Sequence, residues 1–194
     1  MPTESNPLAT ELIRAVELLS ETFAERSIQY ALIGGLATMM RGRPRFTQDV
    51  DMLLEVPQIA LPALLDDLSK RGFTLDLATV VREFEREHLT TFRYGTVRID
   101  WLKPVLPLYV RTLADASELT WTPGHNLRVA TAEGLILTKL VAFREQDQAD
   151  IVTLLSANRV DIDVALIRRE WQPYADTDSS RTIWLEAAIA RLVC

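Results

Sequence analysis

Apolar positions along the chain switch between a helical and a strand period, and the switches mark out its elements. Leu8, Leu12, Val16, Leu19 and Phe23 recur close to every 3.6 residues, which predicts a helix from Pro7 to Arg26. Ala31-Leu32-Ile33 is a short apolar run ending in Gly34-Gly35, read as a strand entering a tight turn with a helix starting beyond it. Asp49 to Leu54 again has strand character. Leu61, Leu64, Leu65 and Leu68 predict a helix opened at Pro57, with Pro62 in its first turn and Arg71-Gly72 at its end. Phe73 to Leu77 reads as a short strand, whereas VVREFERE from Val80 fits no single period. His88–Tyr94 and Thr96–Leu102 predict a hairpin about Gly95. Within its second strand Val97, Ile99 and Trp101 fall on one face, and Arg98 and Asp100 on the other.

The second half of the chain is more helical. Pro104 to Leu113 predicts a short helix, and Glu118 to Val129 a hairpin or irregular segment about Pro123-Gly124. Thr131 is an N-cap candidate with Glu133 in the first turn behind it. One helix is then expected to carry Leu135, Leu137, Leu140, Val141 and Phe143 inward and to run on through Leu155. Arg144, Asp147 and Asp150 lie along it at spacings of three, as helical neighbours that can pair. Asp161–Trp171 and Ser180–Val193 predict two last helices. The expected architecture is α+β, a small mixed β-sheet flanked by helices. It divides into an N-terminal packing helix (1–27), a core (28–130) and a C-terminal helical region (131–194).

Composition narrows the chemistry. The chain's 194 residues, 48% of them hydrophobic, support a real core in one domain, alone or with a helical appendage. A net charge of −6 excludes a strongly basic nucleic-acid binder and leaves room for a local basic patch. The one cysteine, Cys194, excludes a disulfide framework, and His88 and His125 alone do not make a His-rich zinc site. No apolar run reaches the ~18 residues of a membrane span and MPTESNPL has no signal-peptide pattern, so a cytoplasmic protein with no membrane partner is expected.

The stretch from Tyr30 to Leu54 carries the candidate chemistry. Helix N–H groups after Gly34-Gly35 favour an anion such as a phosphate. Asp49 and Asp51, two apart on a strand, project from one face and repel unless a cation neutralises them; a divalent, oxygen-loving ion does so. A phosphate cradle beside a two-carboxylate metal site describes a nucleotide-dependent phosphoryl-transfer centre. Asp100 has two open readings, a salt bridge to Arg98 or a third functional carboxylate. Arg41, Arg43 and Arg45 bind a triphosphate or an RNA backbone, or else Arg45 braces an aspartate and the others are solvated. His88 reads as a surface or capping residue near the hairpin, and the four tryptophans as core.

Gly34-Gly35, the pattern R-x-T-x-D-x-D from Arg45 to Asp51, the aspartate of VRIDWL and the stretch LTKLVAFREQDQADIVTLL together resemble the nucleotidyltransferase (polymerase-beta-like) superfamily. The branch they are most similar to is the AbiEii-type minimal nucleotidyltransferases, toxin components of toxin–antitoxin and phage-defence pairs. The resemblance spans residues 28–155 and implies a nucleotidyltransferase fold and core. It implies that Gly34 and Gly35 hold a triphosphate, with Arg45 and Lys139 as further nucleotide-binding residues. Asp49, Asp51 and Asp100 become the catalytic carboxylates and ligands of Mg²⁺ or Mn²⁺. Many members carry Ser where Gly35 stands, leaving only backbone here to meet the phosphate. Lys139 could equally snorkel from an apolar helix.

The function so implied is transfer of NMP from an NTP such as ATP to a hydroxyl, on a tRNA 3′ end or a protein, by a toxin with a cognate antitoxin partner. Two alternatives stand beside it. One is an adenylyltransferase acting on an aminoglycoside-like antibiotic; the other is a catalytically silent binding module that keeps the fold.

Overall fold

The computed structural model describes residues 7–44, 47–175 and 179–193. Helix α1 (Pro7–Glu25) is followed by β1 (Gln29–Ile33), α2 (Gly34–Arg41) and β2 (Asp49–Glu55). Next come α3 (Leu61–Lys70), β3 (Phe73–Thr74), α4 (Leu77–Arg86), and the hairpin β4 (Leu89–Tyr94) and β5 (Val97–Leu102). Then follow α5 (Pro107–Ala114), the hairpin β6 (Ser117–Thr122) and β7 (His125–Val129), α6 (Ala132–Ala142), α7 (Glu145–Ala157), α8 (Val164–Ala175) and α9 (Ser179–Leu192). The strands form one seven-stranded mixed sheet in the order β3-β4-β5-β2-β1-β7-β6. The expected α+β architecture with a helical C-terminal region is what the chain adopts. Among the described residues no helix is long and apolar enough to cross a membrane.

Strand alternation gives the sheet two unlike faces. Val50 and Met52 of β2 lie beside Ile99 and Trp101 of β5, all fully buried. Trp101 meets Phe92 edge-on at 4.8 Å and lies 5.7 Å from Phe23 of α1 and 6.2 Å from Phe84 of α4. This aromatic cluster seats α1 and α4 on one face. On the other face the same strands put Asp49 beside Arg98 and Asp51 beside Asp100. Glu11 of α1 fixes the β4–β5 turn, accepting hydrogen bonds from Thr96 N (3.0 Å) and Thr96 Oγ1 (2.6 Å).

Two open readings are resolved and one expectation is corrected. VVREFERE is helical: Asp76 caps α4 by accepting from Thr79 N at 2.8 Å, and Val80 and Phe84, four apart, are its buried side. Of the two readings for the segment about Pro123-Gly124 the hairpin holds, antiparallel with one irregularity at Thr120–Thr122. The long C-terminal helix is two helices. The Thr131 cap forms, with Gly134 N donating at 3.2 Å, but Phe143 adopts a left-handed conformation (φ +51°) and α7 starts afresh at Glu145.

Arg41 braces the fold. Its Nε donates to Ala130 O (3.0 Å), and its Nη2 to Val129 O (3.1 Å) and Ser117 Oγ (2.6 Å), while Asn158 Nδ2 of the α7 end donates to Arg41 O (2.9 Å). It therefore ties α2 to the β6–β7 hairpin, and its guanidinium is occupied. At about 1 kcal/mol per hydrogen bond, Arg41→Gln is expected to cost about 2–3 kcal/mol, read as a lowered urea midpoint with an unchanged m-value. An unshifted midpoint would show the brace to be dispensable.

Candidate active site

One cleft of ≈ 440 Å³ is lined by Gly34, Gly35, Asp49, Asp51, Asp100 and Lys139, six of the seven residues singled out in the sequence. Arg45 lies outside the described residues. His88, exposed and at φ +61°, is not among the cleft-lining residues.

The row of residues Ile33, Asp51 and Asp100 crosses three adjacent strands: Asp51 is in register with Ile33 on β1 and with Asp100 on β5. Asp51 therefore faces the start of α2 from the middle of the sheet. The strand turns into α2 through Gly34 at φ +65°, and a Cβ at that position would overlap the Asp51 carboxylate, with Cγ only 2.5 Å away. Both facts require glycine. The Gly35 N–H donates to the Asp51 carboxylate, and Ile33 supplies no side-chain cap. One first-turn N–H of α2 is thus already committed to a carboxylate.

Burial first, then the charges of Asp100 and Asp49, push Asp51 up to about 6 despite Lys139 and the Gly35 N–H. Among the described residues no cation is ion-paired with Asp49 or Asp51. Asp100 is differently placed. Its Oδ1 accepts from Thr91 Oγ1 at 2.6 Å and from Arg98 Nε at 2.9 Å. The salt bridge to Arg98 is present, and it leaves the Asp100 carboxylate among the groups that line the cleft.

No three carboxylate or imidazole groups among the described residues are already gathered closely enough to hold a metal ion. The donor chemistry nevertheless fits a hard divalent cation: the three aspartates offer only oxygen, and among the described residues no cation is ion-paired with Asp51, whose carboxyl stays raised.

The wall opposite the sheet comes from α6 and α7. Lys139 Nζ lies 2.6 Å from Asp150 Oδ2 and 3.4 Å from Asp147 Oδ1, and all three side chains are almost fully buried. Arg144 Nε donates to Asp147 Oδ2 at 2.7 Å. Burial pushes Asp147 upward, but the hydrogen bond from Arg144 and the charge of Lys139 prevail and hold it below the usual carboxylate range. Thr91, Arg98 and Arg144 join the site without having been picked out for it. A signal for Thr91 was present: a hairpin about Gly95-Thr96 that pairs Tyr94 with Val97 must pair Thr91 with Asp100.

Two consequences can be measured on the metal-free protein. Asp51 has a folded pKa near 6 against ~3.9 unfolded, so its ionised form is penalised in the fold. That penalty is fully present above pH 6 and vanishes below about pH 4. Asp51→Asn is therefore expected to unfold at higher temperature than the wild type at pH 8, more stable by about 3 kcal/mol, with the gap closing between pH 6 and pH 4. A gap that stayed constant with pH would contradict this. Gly34→Ala is expected to cost at least about 2 kcal/mol in a thermal melt, from positive φ and overlap together; that cost should shrink in the Gly34→Ala/Asp51→Gly double variant, where the overlap is relieved.

No curated protein matches the sequence. In fold the chain is similar to JHP933 from Helicobacter pylori, with a TM-score of 0.52 and 13% identity over 98% of this chain and 94% of that one. It is also similar to an antigenic nucleotidyltransferase-like protein from Paracoccidioides brasiliensis, with a TM-score of 0.50 and 16% identity over 92% and 94% of the two chains. At these identities the likeness concerns the fold alone. A family model described as "nucleotidyltransferase of unknown function" (DUF6036) matches residues 10–182, most of the chain, and the protein belongs to that nucleotidyltransferase family.

Proposed function

We propose that the cleft transfers a nucleoside monophosphate from an NTP to a hydroxyl group. The observation that carries this reading is the set of three aspartates, Asp49 and Asp51 on β2 and Asp100 on the adjoining β5, beside the N-terminus of α2, with no cation among the described residues ion-paired with the first two. Asp49, Asp51 and Asp100 would hold Mg²⁺ or Mn²⁺, which would supply Lewis-acid charge for the phosphoryl oxygens and lower the pKa of the acceptor hydroxyl.

The chain's own residues do the rest. Gly34 and Gly35 let the phosphates approach the backbone at the start of α2. Thr91 and Arg98 hold Oδ1 of Asp100, which fixes that carboxylate's orientation and keeps its other oxygen for the reaction. The hydroxyl oxygen forms a bond to the α-phosphorus as the bond from that phosphorus to the β-phosphate oxygen breaks. The hydroxyl proton passes to Asp100 and pyrophosphate leaves.

The acceptor is read as a tRNA 3′ end or a protein hydroxyl, in a toxin paired with an antitoxin. The support is the order of motifs, from Gly34-Gly35 through Asp49-Val50-Asp51 to Asp100 and the Lys139–Asp150 segment, which is similar to that of the toxin-like branch.

The test is label transfer from each α-labelled NTP with Mg²⁺, using bulk tRNA, bulk protein and a panel of hydroxylated antibiotics as acceptors. Label is expected on tRNA or protein with the wild type. Asp49→Asn, Asp51→Asn or Asp100→Asn is expected to lower the rate by about a thousandfold or more, since several kcal/mol of charge stabilisation is removed. Label on an antibiotic alone would replace the acceptor assignment, and Mg²⁺–NTP binding without turnover would leave a binding module.

A further inference from the structure

Lys139 and Arg144 are the cations that α6 and α7 bring to the cleft, and the fold treats them in opposite ways. The Lys139 side chain is only 7% exposed and its Nζ lies between Asp150 and Asp147, whose side chains are each 3% exposed. Gln146 Nε2 donates to the other oxygen of Asp150 at 3.0 Å. An ammonium so placed cannot turn to a new anion without stranding buried carboxylates, which is the costly way to break an ion pair.

The Arg144 side chain is 77% exposed. Asp147 grips it along one edge, with Nε to Oδ2 at 2.7 Å and Nη2 to Oδ1 at 3.3 Å, and also accepts from Arg144 N at 3.1 Å. The guanidinium's other N–H groups remain for a second anion. Arg144 also lies within electrostatic reach of Asp51, on the side where the carboxylates gather. Its position depends on the left-handed turn at Phe143, which tertiary contacts hold. Arg181 Nη1 donates to Leu140 O (2.8 Å) and Val141 O (2.5 Å), and its guanidinium lies over the Phe143 ring at 5.4 Å. Trp184 meets the same ring edge-on at 5.4 Å. A strained corner secured from α9 therefore delivers one pre-oriented guanidinium to the cleft.

We infer that Arg144 is the residue that receives the nucleotide's triphosphate, and that Lys139 is a positioning residue acting through Asp147 and Asp150. The inference rests on the nucleotide-binding reading of the cleft. A guanidinium held on one edge presents a planar fork that matches two phosphate oxygens, which an ammonium cannot reproduce.

The test is binding of the α,β-methylene analogues of the four NTPs and of the matching monophosphates, all with Mg²⁺, alongside thermal melts. Arg144→Gln is expected to weaken triphosphate binding about tenfold or more, with monophosphate binding changed less than about twofold and the melting temperature close to wild type. Arg144→Lys should recover only part of the loss. Lys139→Gln/Asp150→Asn, which conserves net charge, is expected to lower the melting temperature while keeping the wild-type ratio of triphosphate to monophosphate affinity. A wild-type ratio in Arg144→Gln overturns the assignment, and so does a collapsed ratio in the folded double variant with Arg144→Gln unaffected. A wild type that binds no analogue overturns the nucleotide-binding reading itself, a result distinct from either.

Discussion

Asp51 sits in the middle of a sheet, flanked in register by Ile33 and Asp100, with the first residue of α2 so close that even a methyl group would overlap it. No described residue is ion-paired with a carboxylate so placed, which works against folding, and its pKa near 6 records that cost. The surroundings are arranged to limit it without removing it. Gly35 gives one N–H, Lys139 contributes charge from a distance, and Arg98 is spent on Asp100 instead. A carboxylate pushed up by burial and by neighbouring carboxylates is stabilised by any cation brought close to it, and the proposed metal site would draw on the same strain that works against folding.

The opposite wall is neutral by construction. Lys139, Asp147, Asp150 and Arg144 sum to zero charge, and three of the four side chains are buried. The cluster therefore fixes α7 against α6 with no net charge of its own, although Lys139 and Arg144 each still act on Asp51. Arg181, from α9, completes the wall by meeting the carbonyls that the end of α6 leaves without helical partners. The C-terminal helices are in this sense a mount for the cleft.

How much of this was legible in the sequence depended on whether the cause was local. The hairpin about Gly95, the Thr131 cap and the shared face of Asp49 and Asp51 follow from turn chemistry and period-two alternation, and they stand as read. That six of the singled-out residues line one cleft follows from the same local rules plus the pairing of β2 with β5. The break at Phe143 was not legible, because no glycine or proline marks it and an aromatic residue disfavours positive φ. Residues some 40 positions away impose it. Arg41 was obscured in the same way. Within an arginine-rich loop it looks like a solvated or anion-binding charge, but its carbonyl acceptors lie almost 90 residues further on.

Core and site are also coupled through β5, where Ile99 and Trp101 point into the aromatic cluster while Arg98 and Asp100 point into the cleft. Because strand side chains alternate, a one-residue slip would bury Asp100 in place of Trp101 and expose the indole to the cleft. The large apolar penalty of that slip means that packing of Trp101 against Phe23, Phe84 and Phe92 sets the register of Asp100 beside Asp51. The Glu11 clamp on Thr96 pins the same register from the turn. The placement of the third carboxylate is thus decided on the far side of the sheet, by residues that never touch the cleft.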